Sequence, residues 1–189
     1  MAADKVVYLD NNATTMVAPE VYEAMAPYFT EFYGNPSSMH TFGGQVGVAV
    51  DRARQQVGSL LGCDSAELVF TSCGTESDST AILSALRANP DKRHVVTTRV
   101  EHPAVKNLCE NLGSMTGTKY RVTMLKVSED GLVDFDEYVN ALTEDTAIVS
   151  IMWANNETGV VFPVPEMARA AKERGILFHT DAVQAVGKL

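Results

Sequence analysis

Short runs of apolar and β-branched residues alternate along this chain with longer segments in which apolar residues recur at helical spacing. The short runs have the length and composition of buried strands. They predict strands at residues 68–71, 94–98, 121–125, 148–153 and 176–178. Because these runs lack a regular apolar-polar alternation, they are typical of parallel strands that are covered on both faces.

The segments between the strands have helix boundaries marked by glycine, proline and capping residues such as Asp134. They predict helices at residues 46–61, 75–87, 104–112, 135–142 and 166–174. This repetition of strand and helix predicts an α/β fold, with a mostly parallel central sheet and helices on both faces. Residues 1–45 are rich in turn signals, so we expect an N-terminal arm and loops there and the α/β domain at 46–189.

The charge balance and the cysteines restrict the possible partners and the compartment. With 24 acidic and 15 basic residues the net charge is −9, and no Lys/Arg cluster occurs, which argues against nucleic acid and anionic membranes as partners. The chain has no apolar run of membrane-spanning length, and residues 1–5 do not resemble a secretory signal. Cys63, Cys73 and Cys109 are odd in number and widely spaced, which argues against disulfides and against a structural metal site. We therefore expect a cytoplasmic protein with reduced thiols.

The first candidate site follows the predicted strand 68–71, where Ser72, Cys73, Gly74 and Thr75 lead into a helix. The free N–H groups and the positive dipole end of a helix bind anions, and a phosphate suits Gly74 and Thr75. The chain has neither the Gly-x-Gly-x-x-Gly pattern of dinucleotide sites nor a Gly-rich loop that ends in Lys-Ser/Thr. A monophosphate on a smaller cofactor is therefore favoured, although Ser72 or Thr75 could simply cap the helix.

Two further strand ends carry polar side chains. His102 follows the strand 94–98, and its imidazole could stack on a flat ring or move protons, or could only cap a helix. Asn155 and Asn156 follow the strand 148–153. Their amides could bind a hydroxyl or carboxylate of a ligand, but the same pattern is ordinary turn chemistry.

The fourth strand end places Asp181 directly after an apolar run, with Gln184 three residues later. A carboxylate that is partly withdrawn from water needs a cation or several donors beside it. A protonated pyridine nitrogen is one such cation, although Asp181 could also be a turn or cap residue. A phosphate cradle, a ring-stacking imidazole, an amide and a pyridinium-facing acid together match the parts of pyridoxal 5'-phosphate.

Six segments carry a resemblance that runs the whole length of the chain. They are residues 8–15, 34–38, 70–78, 101–105, 154–159 and 179–188. In these segments the chain resembles the cysteine desulfurase family, and 72–80 with Met152-Trp153 is most similar to its nitrogen-fixation branch. The resemblance implies a fold-type-I pyridoxal phosphate enzyme, usually a homodimer. Such an enzyme takes sulfur from L-cysteine, leaves L-alanine, and passes the sulfur as an enzyme persulfide to an iron–sulfur scaffold protein.

The same resemblance implies roles for six cofactor-binding residues. Matched position by position, they are Gly74 and Thr75 at the phosphate, His102 stacked on the ring and active in proton transfer, Asn156 beside the ring and the substrate carboxylate, Asp181 at the pyridine nitrogen, and Gln184 at the ring hydroxyl.

The Schiff-base lysine and the persulfide cysteine of the family have no match in these residues. Lys188 and Cys73 match other family positions, so we interpret both as structural, and we expect the chain to be an N-terminal fragment that is inactive alone. Two alternatives stay open. One is a selenocysteine lyase or aminotransferase of the same fold, and the other is a non-catalytic module that binds a phosphate-bearing ligand.

Overall fold

The computed structural model describes residues 6–114 and 119–189. The chain forms two compact units, Met1–Phe70 and Thr71–Leu189. Residues 1–5 of the predicted arm lie outside the described part. No helix in the described ranges is both long enough and apolar enough to cross a membrane.

The first unit contains three α-helices and one 3-10 turn within its described residues. They are α1 (Pro19–Met25), α2 (Pro27–Thr30), α3 (Thr41–Leu61) and the turn Ser65–Glu67. The end of α3 at Gly62, which has a φ of 69°, agrees with the prediction, but the helix begins five residues earlier than predicted. Its first turn contains Gly43 and Gly44, which have low helix propensity, and His40 caps it by accepting from Gly43 N–H through Nδ1. The division of the chain at 45/46 stays a prediction.

The second unit contains a parallel sheet with the strand order β2-β1-β3-β4 in its described residues. The strands are β1 (His94–Thr98), β2 (Arg121–Leu125), β3 (Thr146–Ser150) and β4 (Leu177–His179). The helices are α4 (Gly74–Ala88), α5 (Pro103–Ser114), α6 (Phe135–Ala141) and α7 (Val164–Glu173). The predicted α/β fold with a parallel sheet is therefore confirmed, as are four of its strands and all five helices to within a few residues.

Both faces of this sheet are covered by helices. Successive side chains of a strand point to opposite faces. Val95 packs with the buried residues of α4 and α5, while Val96 packs in a second cluster that includes Tyr138 of α6 and Met167 of α7. Both valines are completely buried. The two core layers cover the central strands so completely that their polar residues are buried as well, namely His94, Thr97, Thr98, Thr146 and Ser150.

The predicted strand at 68–71 is wrong. Leu68 has an extended backbone, with φ −89° and ψ 134°, but no strand in the described ranges pairs with this segment. Val69 and Phe70 are 77% and 49% exposed. An apolar run can predict an extended chain, whereas a strand also needs a neighbour to complete its hydrogen bonds.

The strand order places one edge of the sheet at a topological switch point. The chain passes from β1 to β2 on one side and then returns to β3 on the other side of β1. In such sheets a crevice opens outside the carboxyl ends of the strands, and ligands bind there. The loops that begin at Arg99, Ile151 and Thr180 all leave the sheet at this edge.

Candidate functional site

Helix α4 begins without a side-chain cap. Cys73 is the N-cap residue, and the helix has no side-chain cap hydrogen bond. Ser72 is instead held by Glu76, whose Oε2 accepts from Ser72 N–H at 2.7 Å and from its hydroxyl at 2.6 Å. The alternative in which Ser72 or Thr75 caps the helix is therefore wrong. The first turn, including Gly74 and Thr75, keeps donors for an anion.

The pKa of the Cys73 thiol reflects the electrostatic environment at the start of α4. A hydrogen bond from the backbone of Glu76, followed by one from Ser72, lowers the pKa of Cys73 below its ordinary value. The side chain is exposed, so burial has little influence on it. The same N–H groups that favour a thiolate would also favour a phosphate.

Gly74 leaves space beside the helix end. A Cβ atom placed there would have only Val183 Cγ2, at 3.8 Å, within 4 Å. This is an ordinary contact, so the chain itself does not require glycine at the position. The contact also shows that the loop after β4 lies against the start of α4.

His102 performs the capping role that was one of its two predicted readings. It precedes α5, and its Nδ1 accepts from Ala104 N–H at 3.2 Å. A neutral imidazole that accepts through Nδ1 carries its proton on Nε2. The side chain is exposed, so the cap leaves the ring face and Nε2 available for a ligand.

The two asparagines after β3 differ in their contacts, and only one of them forms the turn. Asn155 is buried, and its Oδ1 accepts from the N–H groups of Glu157 and Thr158 at 3.0 and 2.9 Å. Gly159, with a φ of 75°, completes the turn. Asn156 is half-buried and donates to Glu157 Oε1 at 2.8 Å. Because Asn155 builds the turn, the amide of Asn156 is not needed for it.

The loop after β4 carries the last two predicted site residues. Asp181 is partly buried, and its Oδ1 accepts from Val183 N–H at 3.0 Å. The backbone of the loop is tied to the end of β3, since Trp153 N–H donates to Asp181 O at 2.9 Å. Gln184 accepts from Lys188 Nζ through its Oε1 at 2.6 Å. This contact gives Lys188 a local structural partner.

Two buried carboxyl groups, both outside the predicted set, join this site. Asp78 on α4 is 5% exposed, and its Oδ1 lies 3.5 Å from His179 Nε2. Burial, followed by the charge of Asp181, raises the pKa of Asp78 to about 6, while His102 opposes the shift. Burial likewise raises the pKa of Glu101 to about 7, against hydrogen bonds from Thr98 and Met152.

These pKa shifts show that Asp78, Glu101 and Asp181 form one electrostatic group. The charge of Asp181 acts on both other carboxyl groups. Three carboxyl groups in partial burial favour a cation beside them. The crevice therefore offers N–H donors for an anion at the start of α4 and the carboxyl groups of Asp78 and Asp181 for a cation.

A pattern in the sequence could have revealed Asp78. It lies four residues before Ile82 and eight before Leu86, on the same buried stripe of α4. A carboxylate on an apolar helix stripe is unusual and points to a charged neighbour. Glu101 carries no such signal, because its burial depends on how the loop after β1 meets the end of β3.

The donor set of the crevice fits pyridoxal phosphate. The cofactor has a phosphate, which suits the N–H groups at Gly74 and Thr75, and a ring nitrogen that is protonated beside a carboxylate such as Asp181. The structure brings together His102, Asp78, Asp181 and the start of α4 through the contacts above. Of the other two predicted residues, Asn156 donates to Glu157 and Gln184 accepts from Lys188.

Comparison with known proteins gives a consistent result. The family model for class-V aminotransferases matches residues 7–189. The chain is 61% identical over 184 residues to a cysteine desulfurase of Trichormus azollae, and 60% identical to the cysteine desulfurase NifS of Azotobacter vinelandii. In both cases the match covers 97% of this chain and 45% of the relative. The chain thus spans about half the length of the curated relatives it matches.

Solved structures agree with the fold. A NifS-like protein superposes with a TM-score of 0.91 at 38% identity, over 97% of this chain and 50% of its own. A protein described as SspA in complex with cysteine gives a TM-score of 0.88 at 34% identity, over 94% and 51% of the two chains. Class-V aminotransferases and cysteine desulfurases are pyridoxal phosphate enzymes, which confirms the predicted cofactor. The chain belongs to the class-V aminotransferase family.

Proposed function

We propose that the whole protein is a pyridoxal phosphate-dependent cysteine desulfurase, and that this chain is the N-terminal part of its cofactor-binding domain. The observation that carries the proposal is the crevice itself. It has uncapped N–H donors at the start of α4 and, beside them, Asp181 within a group of buried carboxyls. Eight curated relatives named as cysteine desulfurases, at 56–61% identity, support the choice of reaction.

Each predicted site residue has a role in this proposal. The N–H groups of Gly74 and Thr75, with the Thr75 hydroxyl, hold the phosphate. His102 stacks on the ring and holds a proton at Nε2, and Gln184 contacts the ring hydroxyl. Asp181 keeps the ring nitrogen protonated, and the bound cofactor then supplies an electron sink for bond cleavage at the substrate. Asn156 orients the carboxylate of L-cysteine.

The remaining parts of the proposal concern the whole protein. It assigns the cofactor-binding lysine and the sulfur-accepting cysteine to residues outside these 189. It also includes a homodimer, an iron–sulfur scaffold as the acceptor of the sulfur, and a cytoplasmic location. The free state of Cys63, Cys73 and Cys109 agrees with a reducing compartment.

The test is conversion of L-cysteine by the whole cofactor-loaded protein, with and without the substitution Asp181→Asn. We expect the wild type to form one alanine for each sulfur released. The asparagine keeps Oδ1 as acceptor for Val183 N–H, so the loop is preserved while the charge is lost. Removing one partner of a buried charge pair costs about 3 kcal/mol, so we expect kcat/KM to fall about 100-fold.

The matched control is Asp91→Asn, an exposed carboxylate that precedes β1 at the opposite end of the strands. It should leave the rate unchanged. A protein that transfers the amino group of its substrate to a 2-oxo acid would instead be an aminotransferase. A protein that acts on selenocysteine but not on cysteine would be a selenocysteine lyase, and failure to bind the cofactor would favour a non-catalytic module.

A further inference from the structure

Two buried side chains link the loops after β1 and β3 in both directions. Glu101, in the loop after β1, accepts from Met152 N–H, which lies at 3.1 Å from Oε1 and 3.0 Å from Oε2. Asn155, in the loop after β3, donates from Nδ2 to Val100 O at 3.0 Å. Each loop therefore supplies one side chain and one backbone group to the other. We call Glu101 and Asn155, with these two backbone groups, the loop clasp.

Each clasp residue is also fixed within its own loop. Glu101 Oε1 accepts from Thr98 Oγ1 at 2.6 Å, at the end of β1. Asn155 Oδ1 accepts three hydrogen bonds from the turn that it builds, including one from Thr158 Oγ1 at 3.2 Å. Glu101 and Asn155 are 5% and 7% exposed. Few alternative positions are open to either side chain.

The clasp begins where the backbone pairing of the two strands ends. The backbone pairing of β1 and β3 ends with Thr97 opposite Ser150. Beyond these residues, no strand pairing fixes the spacing between the two loops. The clasp residues are the direct neighbours of the two predicted site residues, since His102 follows Glu101 and Asn156 follows Asn155. A shift of either loop would therefore change the distance between the imidazole and the amide.

We propose that Glu101 and Asn155 are positioning residues which set the spacing between His102 and Asn156. This inference rests on the proposed function, in which His102 stacks on the cofactor ring and Asn156 orients the substrate carboxylate. Loss of the clasp then displaces the substrate relative to the ring, while the phosphate site at α4 stays intact. A displacement of about 1 Å can cost on the order of 100-fold in rate.

The sharpest variant is Asn155→Asp, because it replaces the donor to Val100 O and Met152 Sδ by a carboxylate oxygen and retains Oδ1 for the turn. Glu101→Ala removes the other link, and Glu101→Gln retains an acceptor for Met152 N–H. The exposed residues Asn107 and Glu129 give the matched controls Asn107→Asp and Glu129→Gln. All are made in the whole cofactor-loaded protein.

We expect Asn155→Asp and Glu101→Ala to raise KM for L-cysteine about 10-fold and to lower kcat between about 10-fold and 100-fold. Both controls should stay within about 3-fold of the wild type, and Glu101→Gln, which keeps an acceptor for Met152 N–H, should lose less activity than Glu101→Ala. Binding of L-alanine, followed through the absorption of the cofactor, should weaken in parallel with KM. The dissociation constant of the cofactor itself should change less than about 3-fold, because the phosphate contacts are kept.

The result that overturns the inference is a loss of kcat that follows only the loss of folded protein, with KM and L-alanine binding unchanged. Failure of Glu101→Ala to fold does not remove the test, since Asn155→Asp keeps the size of the side chain, and Asn107→Asp adds the same charge outside the clasp. If the wild type has no desulfurase activity, the proposed function fails by itself. The circular dichroism of the bound cofactor then tests whether the loop clasp positions His102. The orientation of the ring against His102 should change in Asn155→Asp and not in Asn107→Asp.

Discussion

The carboxyl group of Glu101 experiences two opposing influences. Burial disfavours the charged form, whereas the Thr98 hydroxyl and the Met152 N–H group favour it. Burial prevails and raises the pKa of Glu101 from an ordinary 4.5 to about 7, with a smaller contribution from the charges of Asp181 and Asp78. The residue therefore changes its charge near neutral pH while it remains inside the loop clasp.

This shift predicts a pH dependence of stability. The pKa is higher in the folded than in the unfolded protein. The folded state therefore binds the proton more tightly, and protonation of Glu101 stabilises it. The stabilisation is complete below about pH 4.5 and is lost as the pH rises through about 7. Glu101→Gln carries no titrating proton. Between pH 5 and pH 8 we expect the wild type to lose about 3 kcal/mol of unfolding free energy relative to this variant.

Denaturation of the whole cofactor-free protein at pH 5 and pH 8 measures this difference. Asp78, whose pKa is also raised, is present in both proteins, so most of its contribution cancels in the comparison. Parallel pH profiles for the two proteins would show that Glu101 stays ionised throughout the range, and that its hydrogen bonds outweigh its burial.

Within helix α4, a single substitution can distinguish an effect on stability from an effect on cofactor binding. Gly74 is its first residue, and a Cβ there would meet only Val183 at an ordinary distance. Alanine has the higher helix propensity, so Gly74→Ala should leave the melting temperature unchanged or raise stability by up to about 1 kcal/mol. A phosphate that lies against this backbone would meet the added methyl group. We therefore expect weaker cofactor binding in a protein that is at least as stable.

Titration of the whole cofactor-free protein with pyridoxal phosphate, beside a thermal melt, tests this expectation. Gly113→Ala is the matched control, since its Cβ would lie 3.6 Å from Val122 on the face of α5 that packs against the sheet. It should leave cofactor affinity unchanged. If the cofactor affinity of Gly74→Ala is also unchanged, the phosphate does not bind at the start of α4.

The elements also show what local sequence can predict. Asp134 was predicted to cap α6, and its Oδ1 accepts from Glu137 N–H at 2.9 Å. The two residues are three positions apart, so the contact can be predicted from the local sequence alone. The start of α3 was missed because it depends on a close approach of Gly43, where a Cβ would lie 2.4 Å from Asn35 O. The strand at 68–71 was wrong because strand pairing depends on distant residues.

The same distinction holds within the site. Gly74, Thr75, His102, Asn156, Asp181 and Gln184 were predicted from motifs that each lie within one short segment, and their roles stay predictions. The clasp formed by Glu101 and Asn155 joins residues more than fifty positions apart, and no local pattern records that contact. Asp78 is intermediate, because its place on a buried helix stripe is local while its partner His179 is not.

At the scale of the whole molecule, the order of the strands explains why separate segments meet in one crevice. Strands β1, β3 and β4 are neighbours and parallel, so the loops that follow them leave the same edge of the sheet. The extra bonds from Ile151 N–H to His179 O and from Trp153 N–H to Asp181 O continue this pairing past the ladder. The sheet thereby carries His102, Asn156 and Asp181 on one rigid support.

The first unit has a different balance of buried and exposed surface. Helices α1 and α2 contain no buried residue, and α3 buries only two glycines. Large apolar side chains are open to solvent, among them Leu9 at 84%, Phe29 at 71%, Tyr33 at 70% and Met39 fully. A cavity of about 950 Å³ with a mainly aliphatic lining lies between α1 and α3. Apolar surface on this scale marks contact sites or promotes aggregation.

We therefore predict that the 189-residue polypeptide associates when it is expressed alone. Sedimentation velocity should show species larger than the 20.4 kDa monomer, increasing with concentration. Phe29→Lys combined with Tyr33→Lys removes two exposed rings and adds two charges, so it should shift the distribution toward monomer with unchanged far-UV circular dichroism. Gln55→Lys with Thr15→Lys adds the same charge at exposed positions outside the cavity lining, without removing apolar surface, and should have the smaller effect. A sharp, reversible melt of a monomeric wild-type polypeptide would show that the exposed side chains find their partners within these 189 residues.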